Sequence, residues 1–425
     1  MTASTASRPR PWLLPGLMLT GAALGIALGG ALGERWADPA LEPLVLGLRA
    51  CGTIFLSFLT ALVVPLILTS VTVGVAALGA AVGRGRGAAA VTAYYLFTTL
   101  LAVALGLALV NLIAPGQHGS ASLDASVREA VRPAPTTSRA LYDLATGLFP
   151  PNWVAAAAEG NLLGLIVAAV LFGAVLANGT DEQQRLRSMI SAVNEALLRL
   201  VKLAIWAAPV GILALVAERI GSAGGAEAVR RELYGLGAYA ATVLIGLAIH
   251  AGIVLPLILR LVAGRPPMRY ATGMAESLVV AFGSASSAAS LGLTLRCAIE
   301  KNGVGPLAAR LVIPLGATVN MNGTALYEAV AAVFIAQVAG IELSALQQGI
   351  VLLTATLAAV GAAAIPEAGL VTLLLVLSAA GLPAEGVGLL LSIDWILDRF
   401  RTSVNVWGDA VGAAVIDRWW SAEHA

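Results

Sequence analysis

The chain has 425 residues, of which 59% are hydrophobic and 12% charged, and its mean hydropathy is +0.88, far from a soluble average. Its 25 basic and 24 acidic residues nearly cancel, which argues against a nucleic-acid-binding surface. Two cysteines, Cys51 and Cys297, lie in or beside apolar stretches and imply neither a disulfide framework nor a metal site.

A helix of roughly 18–20 apolar residues crosses a bilayer. Helices are predicted in chain order over 12–33, 43–81, 89–114, 161–177, 189–220, 234–262, 305–338 and 386–417. The expected fold is an all-α polytopic membrane protein with eight transmembrane helices. The first stretch is too long and glycine-rich for a signal-peptide core and is followed by no small-residue cleavage site, so it is expected to be retained. Its Gly21, Gly25 and Gly29 mark a packing face whose partner the sequence does not give. Arg8 and Arg10, Arg84 and Arg86, Arg185 and Arg187, Arg265 and Arg269, and Arg418 all fall on one side of this count. The positive-inside rule then places both termini in the cytoplasm. The polar connection from Gly116 to about Asn152 lies outside, with a short amphipathic piece near 138–149, and Trp419 and Trp420 fit an interfacial belt.

Two segments do not read as simple spans. Residues 272–299 are apolar at both ends but interrupted by GSASSAASLG, and residues 345–385 carry GAAAIPEAG between apolar arms. Unwound backbone at membrane depth is tolerated only where it is buried in protein or lines a cavity. The reading is two re-entrant helical hairpins flanking the helix with NMNGT at 320–324, an inverted repeat around a midplane site; flexible spanning helices with tolerated serine and glycine are the alternative. In NMNGT, Gly323 is expected to unwind the helix and free backbone carbonyls. With Asn320 and a carboxylate such as Asp409, these are hard oxygen ligands for a small cation, although a glycine kink held by asparagines needs no ion.

The last long apolar stretch contains DWILDRFRTSVNVWGD. At helical spacing Asp394, Asp398, Arg401, Asn405 and Asp409 fall within about 80° of one another. Each charge at a bilayer centre costs about 2.5–3.5 kcal/mol on insertion scales, so this stripe must face protein, water or a ligand. A substrate and ion path fits it; an internal salt-bridge seam, with Asp398 and Arg401 one turn apart, is the plainer alternative. No nucleophile and base pair, metal spacing or phosphate loop supports an enzyme.

The serine-rich hairpin, IPLGATVNMNGTALYEAVAAVFIAQ, GAAAIPEAGLVT and DWILDRFRTSVNVWGDAVGA follow one another in an order that resembles the glutamate transporter family of dicarboxylate and amino-acid:cation symporters. The likeness runs from about Leu48 to Asp417 and takes in VVPLILTSVTVGVAAL, AYYLFTTLLAVALG, LFPPNWV and APVGIL. It implies a sodium-driven symporter of acidic amino acids (aspartate or glutamate) in the cell (inner) membrane, with protons as a further candidate ion and potassium return of the empty carrier left open. It also implies an elevator: residues 1–81 and 138–220 form the scaffold of a homotrimer in the lipid bilayer. The helices at 89–114, 234–262, 305–338 and 386–417 and hairpins 272–299 and 345–385 then form the moving unit. A C4-dicarboxylate carrier, a neutral amino acid carrier and an anion channel are the rival readings.

Residue by residue, Asp398 matches the carboxylate that holds the substrate amino group and Arg401 the guanidinium that forks a side-chain carboxylate. Thr324, Thr402, Asn405, Ser286 and Ser287 match further substrate contacts, and Ala364 and Ile365 the tip of the outer gate. Gly316, Asn320, Asn405 and Asp409 match one sodium site, and Thr318 and Met321 with carbonyls near Val360 and Ala362 a second. Tyr95, Thr98, Thr99, Asn320 and the residue at 322 match a third. There the family usually has aspartate and this chain has Asn322, which keeps an amide oxygen but removes a negative charge. Ala288 and Gly292 replace the family's usual serine and proline in the first hairpin, and Arg399 stands in the last helix where an archaeal branch has a hairpin arginine. Glu328 matches a proton carrier, with a structural glutamate bonded to Arg399 or a tyrosine as the alternative.

Overall fold

In the computed structural model, which describes residues 13–82, 86–117, 146–159, 161–222, 226–361 and 368–423, every regular element is helical and no strand occurs among the described residues. Ala362, Ala364, Ile365 and most of the piece expected near 138–149 lie outside the described residues. Among the described residues, three helical segments are long and apolar enough to cross a membrane, Ala89–Ile113, Tyr234–Leu261 and Pro306–Ala339.

The amino-terminal half is a helix assembly closed by small residues. Helix α1 (Leu13–Leu32) packs on the long helix α7 (Asp181–Ser222). A Cβ at Gly25 or Gly29 would stand 2.8 Å from the carbonyl of Leu213 or 2.7 Å from that of Ala217, and one at Gly21 would run into that of Pro209. The glycine face thus has its partner, and the close backbone approach is what its spacing is for. Helix α2 (Glu42–Leu66) passes through a π-helical turn at Ile67–Val71 into α3 (Thr72–Val82), where the prediction had one helix over 43–81. In the turn the hydroxyls of Thr69 and Ser70 donate to Oδ1 of Asn194 on α7, at 3.0 and 2.7 Å. Asn152 caps the short α5 (Trp153–Ala158) by accepting from the amides of Val154 and Ala155, and Asn161 caps α6 (Leu162–Ala177) through Gly164. The α7 helix starts eight residues before the predicted 189, because its first two turns are polar and carry no apolar periodicity.

The remaining elements surround one buried rod. Helix α4 (Arg86–Ile113) and α8 (Ala226–Ile249), which continues through the π turn His250–Val254 into α9 (Leu255–Leu261), pack on α13 (Asn322–Ala339); α4 also touches α12 (Pro306–Val319), while α9 packs on the last helix. The α13 sequence is apolar on all sides, and almost all of it is buried, as an all-round apolar helix must be. The first broken segment folds as α10 (Pro267–Ser284) and α11 (Ser287–Arg296), which pack together and run into a π turn at Cys297–Lys301. Ala285 turns the chain with φ 48°, and the Ser286 hydroxyl caps α11 at the amide of Ala289. The second folds as α14 (Ala345–Gly361) and α15 (Ala368–Ala379), also packed together. The last helix, α16 (Val387–Glu423), extends beyond the predicted end at 417.

Candidate functional site for substrate and cations

The expected unwinding at Gly323 lies two residues earlier, at Asn320 (φ −114°, ψ 67°) and Met321 (φ −100°, ψ 64°), while Gly323 belongs to the first turn of α13. Its glycine has another cause: a Cβ there would sit 2.8 Å from the carbonyl oxygen of Arg401 on α16. Side chains take up the polar groups that the break releases. Asn405 accepts from the amide of Gly323 at 2.8 Å and donates to the hydroxyl of Thr324 at 3.1 Å, so one amide joins the broken helix to α16.

Arg401 is fully buried. Its Nη1 and Nη2 donate to both oxygens of Asp394 at 2.8 and 3.2 Å, and Nη2 also donates to Asp398 Oδ1 at 2.9 Å. The guanidinium carbon lies 3.8 Å from the centre of the Tyr327 ring, a cation–π contact in a desolvated setting. A buried charge needs such partners, since an unpaired one costs several kcal/mol. One guanidinium facing two carboxylates puts buried charges of both signs side by side, including the Asp398–Arg401 pair of the salt-bridge alternative. Gly369, on the second arm of the second broken segment, lies over it; a Cβ there would be 3.2 Å from Nη1 of Arg401 and 3.3 Å from Thr324 Cγ2.

The cation candidates gather beside it. Nδ2 of Asn320 donates to Asp409 Oδ1 at 2.9 Å, and both residues are buried. A Cβ at Gly316 would collide with that same carboxylate. Thr98 donates to the carbonyl of Tyr94 and reaches Asn320 Oδ1 at 3.4 Å, and Tyr95 donates to the carbonyl of Val312 at 2.6 Å. Thr99, Asn322 and Met321 are buried in the same region. These oxygens form the kind of donor set that a small hard cation takes. Thr318 is exposed and its hydroxyl donates to Leu315, and the Val360 carbonyl lies against Gly74 of α3, so neither joins the group around Asp409.

Among the other predicted residues, Ser286 serves as the α11 cap, and Ser287 and Thr402 are buried. Glu328 is fully buried with neither carboxylate oxygen in a well-formed hydrogen bond; its polar neighbour is Thr372. Arg399 instead donates to the carbonyls of Phe282 and Gly283, at 3.1 and 2.6 Å, closing the carboxyl end of α10. Among the described residues no hydrogen bond joins Glu328 to Arg399. Sequence reasoning placed Asp394 on the polar stripe without pairing it with Arg401, and gave no place in the site to Tyr327, Gly369 or His250. Asp394 was legible, two helical turns before Arg401 on the same stripe; the others meet the site only through the tertiary fold.

A family model described as the sodium:dicarboxylate symporter family matches residues 14–419. Excitatory amino acid transporter 3 of Mus musculus is 40% identical over 415 residues, 86% of this chain and 78% of that protein. Excitatory amino acid transporter 3 of Homo sapiens is 39% identical over 444 residues, 93% and 83% of the two chains, and excitatory amino acid transporter 4 of Mus musculus is 39% identical over 438 residues, 86% and 76%. With an all-helical fold, membrane-length apolar helices and a buried charged site to match, the chain belongs to the sodium:dicarboxylate symporter family, and is a multi-pass, sodium-coupled membrane transporter rather than an enzyme.

Proposed function

We propose that this protein takes up acidic amino acids, aspartate or glutamate, with sodium as the driving ion. The observation that carries this reading is the fully buried Arg401 held between Asp394 and Asp398 on one helix face. An amino dicarboxylate presents both complementary charges: a side-chain carboxylate for the guanidinium fork and an ammonium for Asp398. A C4-dicarboxylate has no ammonium for Asp398, and a neutral amino acid leaves Arg401 without a substrate partner. Thr324, Thr402, Asn405, Ser286 and Ser287 line the substrate's path on this reading, with Ala364 and Ile365 at the gate.

Sodium sits at Gly316, Asn320, Asn405 and Asp409, with a second ion at Thr318, Met321 and the carbonyls of Val360 and Ala362. Ion binding orders the broken helix and allows the second hairpin to close, so that movement requires both ligands. The elevator, the eight-helix topology with two re-entrant hairpins, the homotrimeric scaffold and cytoplasmic termini complete the proposal, and Glu328 is its proton carrier. The supporting observations are the break at Asn320–Met321, the helix pairs α10–α11 and α14–α15 packed near it, and the family likeness.

The test is uptake of labelled aspartate into proteoliposomes, with sodium and proton gradients imposed separately. Sodium-driven accumulation that is lost in Arg401→Ala is expected. A proton contribution carried by Glu328 disappears in Glu328→Gln while the sodium-driven part remains. Absence of accumulation under either gradient overturns the acidic amino acid assignment.

A further inference from the structure

His250 has no part in the site as assigned above, yet it touches the one position where the third-site residues depart from the family pattern. It opens the π turn His250–Val254 of the span Tyr234–Leu261, is fully buried, and places Nε2 3.4 Å from Nδ2 of Asn322. The turn is fastened to the last helix, because Nε1 of Trp407 donates to the carbonyl of Ala251 at 3.1 Å. Asn322 is itself fully buried, and its Oδ1 has no hydrogen-bond partner among the described residues. The amide lies against α16 at Gly408: a Cβ there would be 3.1 Å from Oδ1 and 3.4 Å from Nδ2 of Asn322, and 3.4 Å from Nδ2 of Asn320.

A side-chain amide has a donating end and an accepting end, and the neighbour of one end decides which way the other points. With Nε2 of His250 accepting from the Asn322 amide nitrogen, the oxygen is left to accept beside α16 at Gly408, where the Asn320 side chain also lies. The reverse orientation would point two N–H donors at the same place and repel a cation. A buried acceptor with no donor is costly unless something fills it. Resting on the sodium-symport reading, we infer that His250 is a positioning residue. It holds the Asn322 amide so that its oxygen, in place of the missing carboxylate, completes an uncharged sodium pocket with Thr98, Thr99 and Asn320. The histidine acts from behind the ligand, as outer partners do in metal sites.

The experiment is a sodium titration of the purified full-length protein without amino acid, read as the rise in thermal midpoint against equal choline chloride. In wild type the midpoint rises with sodium. His250→Leu and His250→Phe, which differ in volume but both remove the acceptor, are expected to weaken apparent sodium affinity about tenfold or more. His250→Gln, whose side-chain oxygen can accept the same N–H, is expected to restore it to within about threefold. Asn322→Leu reproduces the loss, and adding His250→Leu to it changes nothing further, because the two act as one unit. A lowered midpoint with unchanged sodium affinity in the His250 variants makes the histidine merely structural and overturns the inference. So does a loss that His250→Gln does not restore, or one that persists on the Asn322→Leu background. No sodium response in wild type overturns the sodium reading itself, a separate result.

Discussion

A guanidinium with none of its surface exposed must find its counter-charge inside the protein, and Arg401 finds two carboxylates on its own helix. Asp394 takes both arms of the fork, so it holds the plane of the guanidinium, while Asp398 shares only one nitrogen with it. The stripe from Asp394 to Asp409 was legible in the sequence because five polar groups share one face of an otherwise apolar helix. Which of them pair was not legible, since side chains three, four and seven residues apart can all meet on that face. On the proposed function, Asp394 is what aims Arg401 at substrate. Asp394→Asn keeps the shape but leaves one carboxylate to carry the guanidinium, which should then turn toward Asp398 and cover the position meant for the ammonium. Aspartate affinity at saturating sodium is expected to fall at least tenfold, about 1.4 kcal/mol, while sodium affinity measured without amino acid stays close to wild type. An unchanged aspartate affinity would show that Arg401 needs no second carboxylate to hold its aim.

Apolar length and end signals made the elements readable, and features without a local pattern escaped. The broken segments were visible because GSASSAASLG and GAAAIPEAG interrupt apolar arms, and the first proves to turn at Ala285 beside the cap at Ser286. In NMNGT the glycine drew the expected break to position 323, yet the helix opens at Asn320 and Met321, because the constraint on Gly323 is close approach to α16 and not backbone freedom. The three π turns have no sequence signal; they are settled by contacts such as Trp407 to Ala251. At the carboxyl end of α16 a similar long-range contact joins three elements: Asp417 accepts from the amide of Gly305 at 2.9 Å, which caps α12, and from Arg265 at 2.7 Å. Arg265 also donates to the carbonyls of Asn302 and Gly303, so the loop before α12 is held at both ends. Asp417→Ala removes a charge-assisted pair of bonds worth about 1.5–3 kcal/mol each at most. A lower thermal midpoint is expected in thermal-shift measurements with sodium affinity retained; a midpoint equal to wild type would mean the loop is held by its remaining contacts.

At the scale of the whole molecule the proposed elevator requires two bodies that slide, and the contacts between them can be set beside the contacts within each. Inside the amino-terminal assembly, glycines bring helix backbones together, as at Gly21, Gly25 and Gly29 against α7. Inside the other body, hydrogen bonds between helices fasten α13 to α16 through Asn405, and α4 to α12 through Tyr95. Between the two, glycines meet the facing helix closely: Gly388 of α16 lies against the Leu215 side chain of α7, and Gly74 of α3 against the backbone carbonyl of Val360 in α14. A contact such as Gly388 with Leu215 can exchange one register for another without exposing a buried ion, which is compatible with the sliding reading. It also supplies the test. A Cβ at Gly388 would lie 3.4 Å from that of Leu215, close to the separation a disulfide spans. With Cys51 and Cys297 replaced by serine, the Leu215→Cys, Gly388→Cys double variant should take up aspartate when reduced. Uptake should stop on oxidation and return with dithiothreitol, while sodium still raises the thermal midpoint of the oxidised form. Uptake that continues through the cross-link would mean that substrate crosses without relative movement of α7 and α16, and the fixed-path channel reading would take the elevator's place.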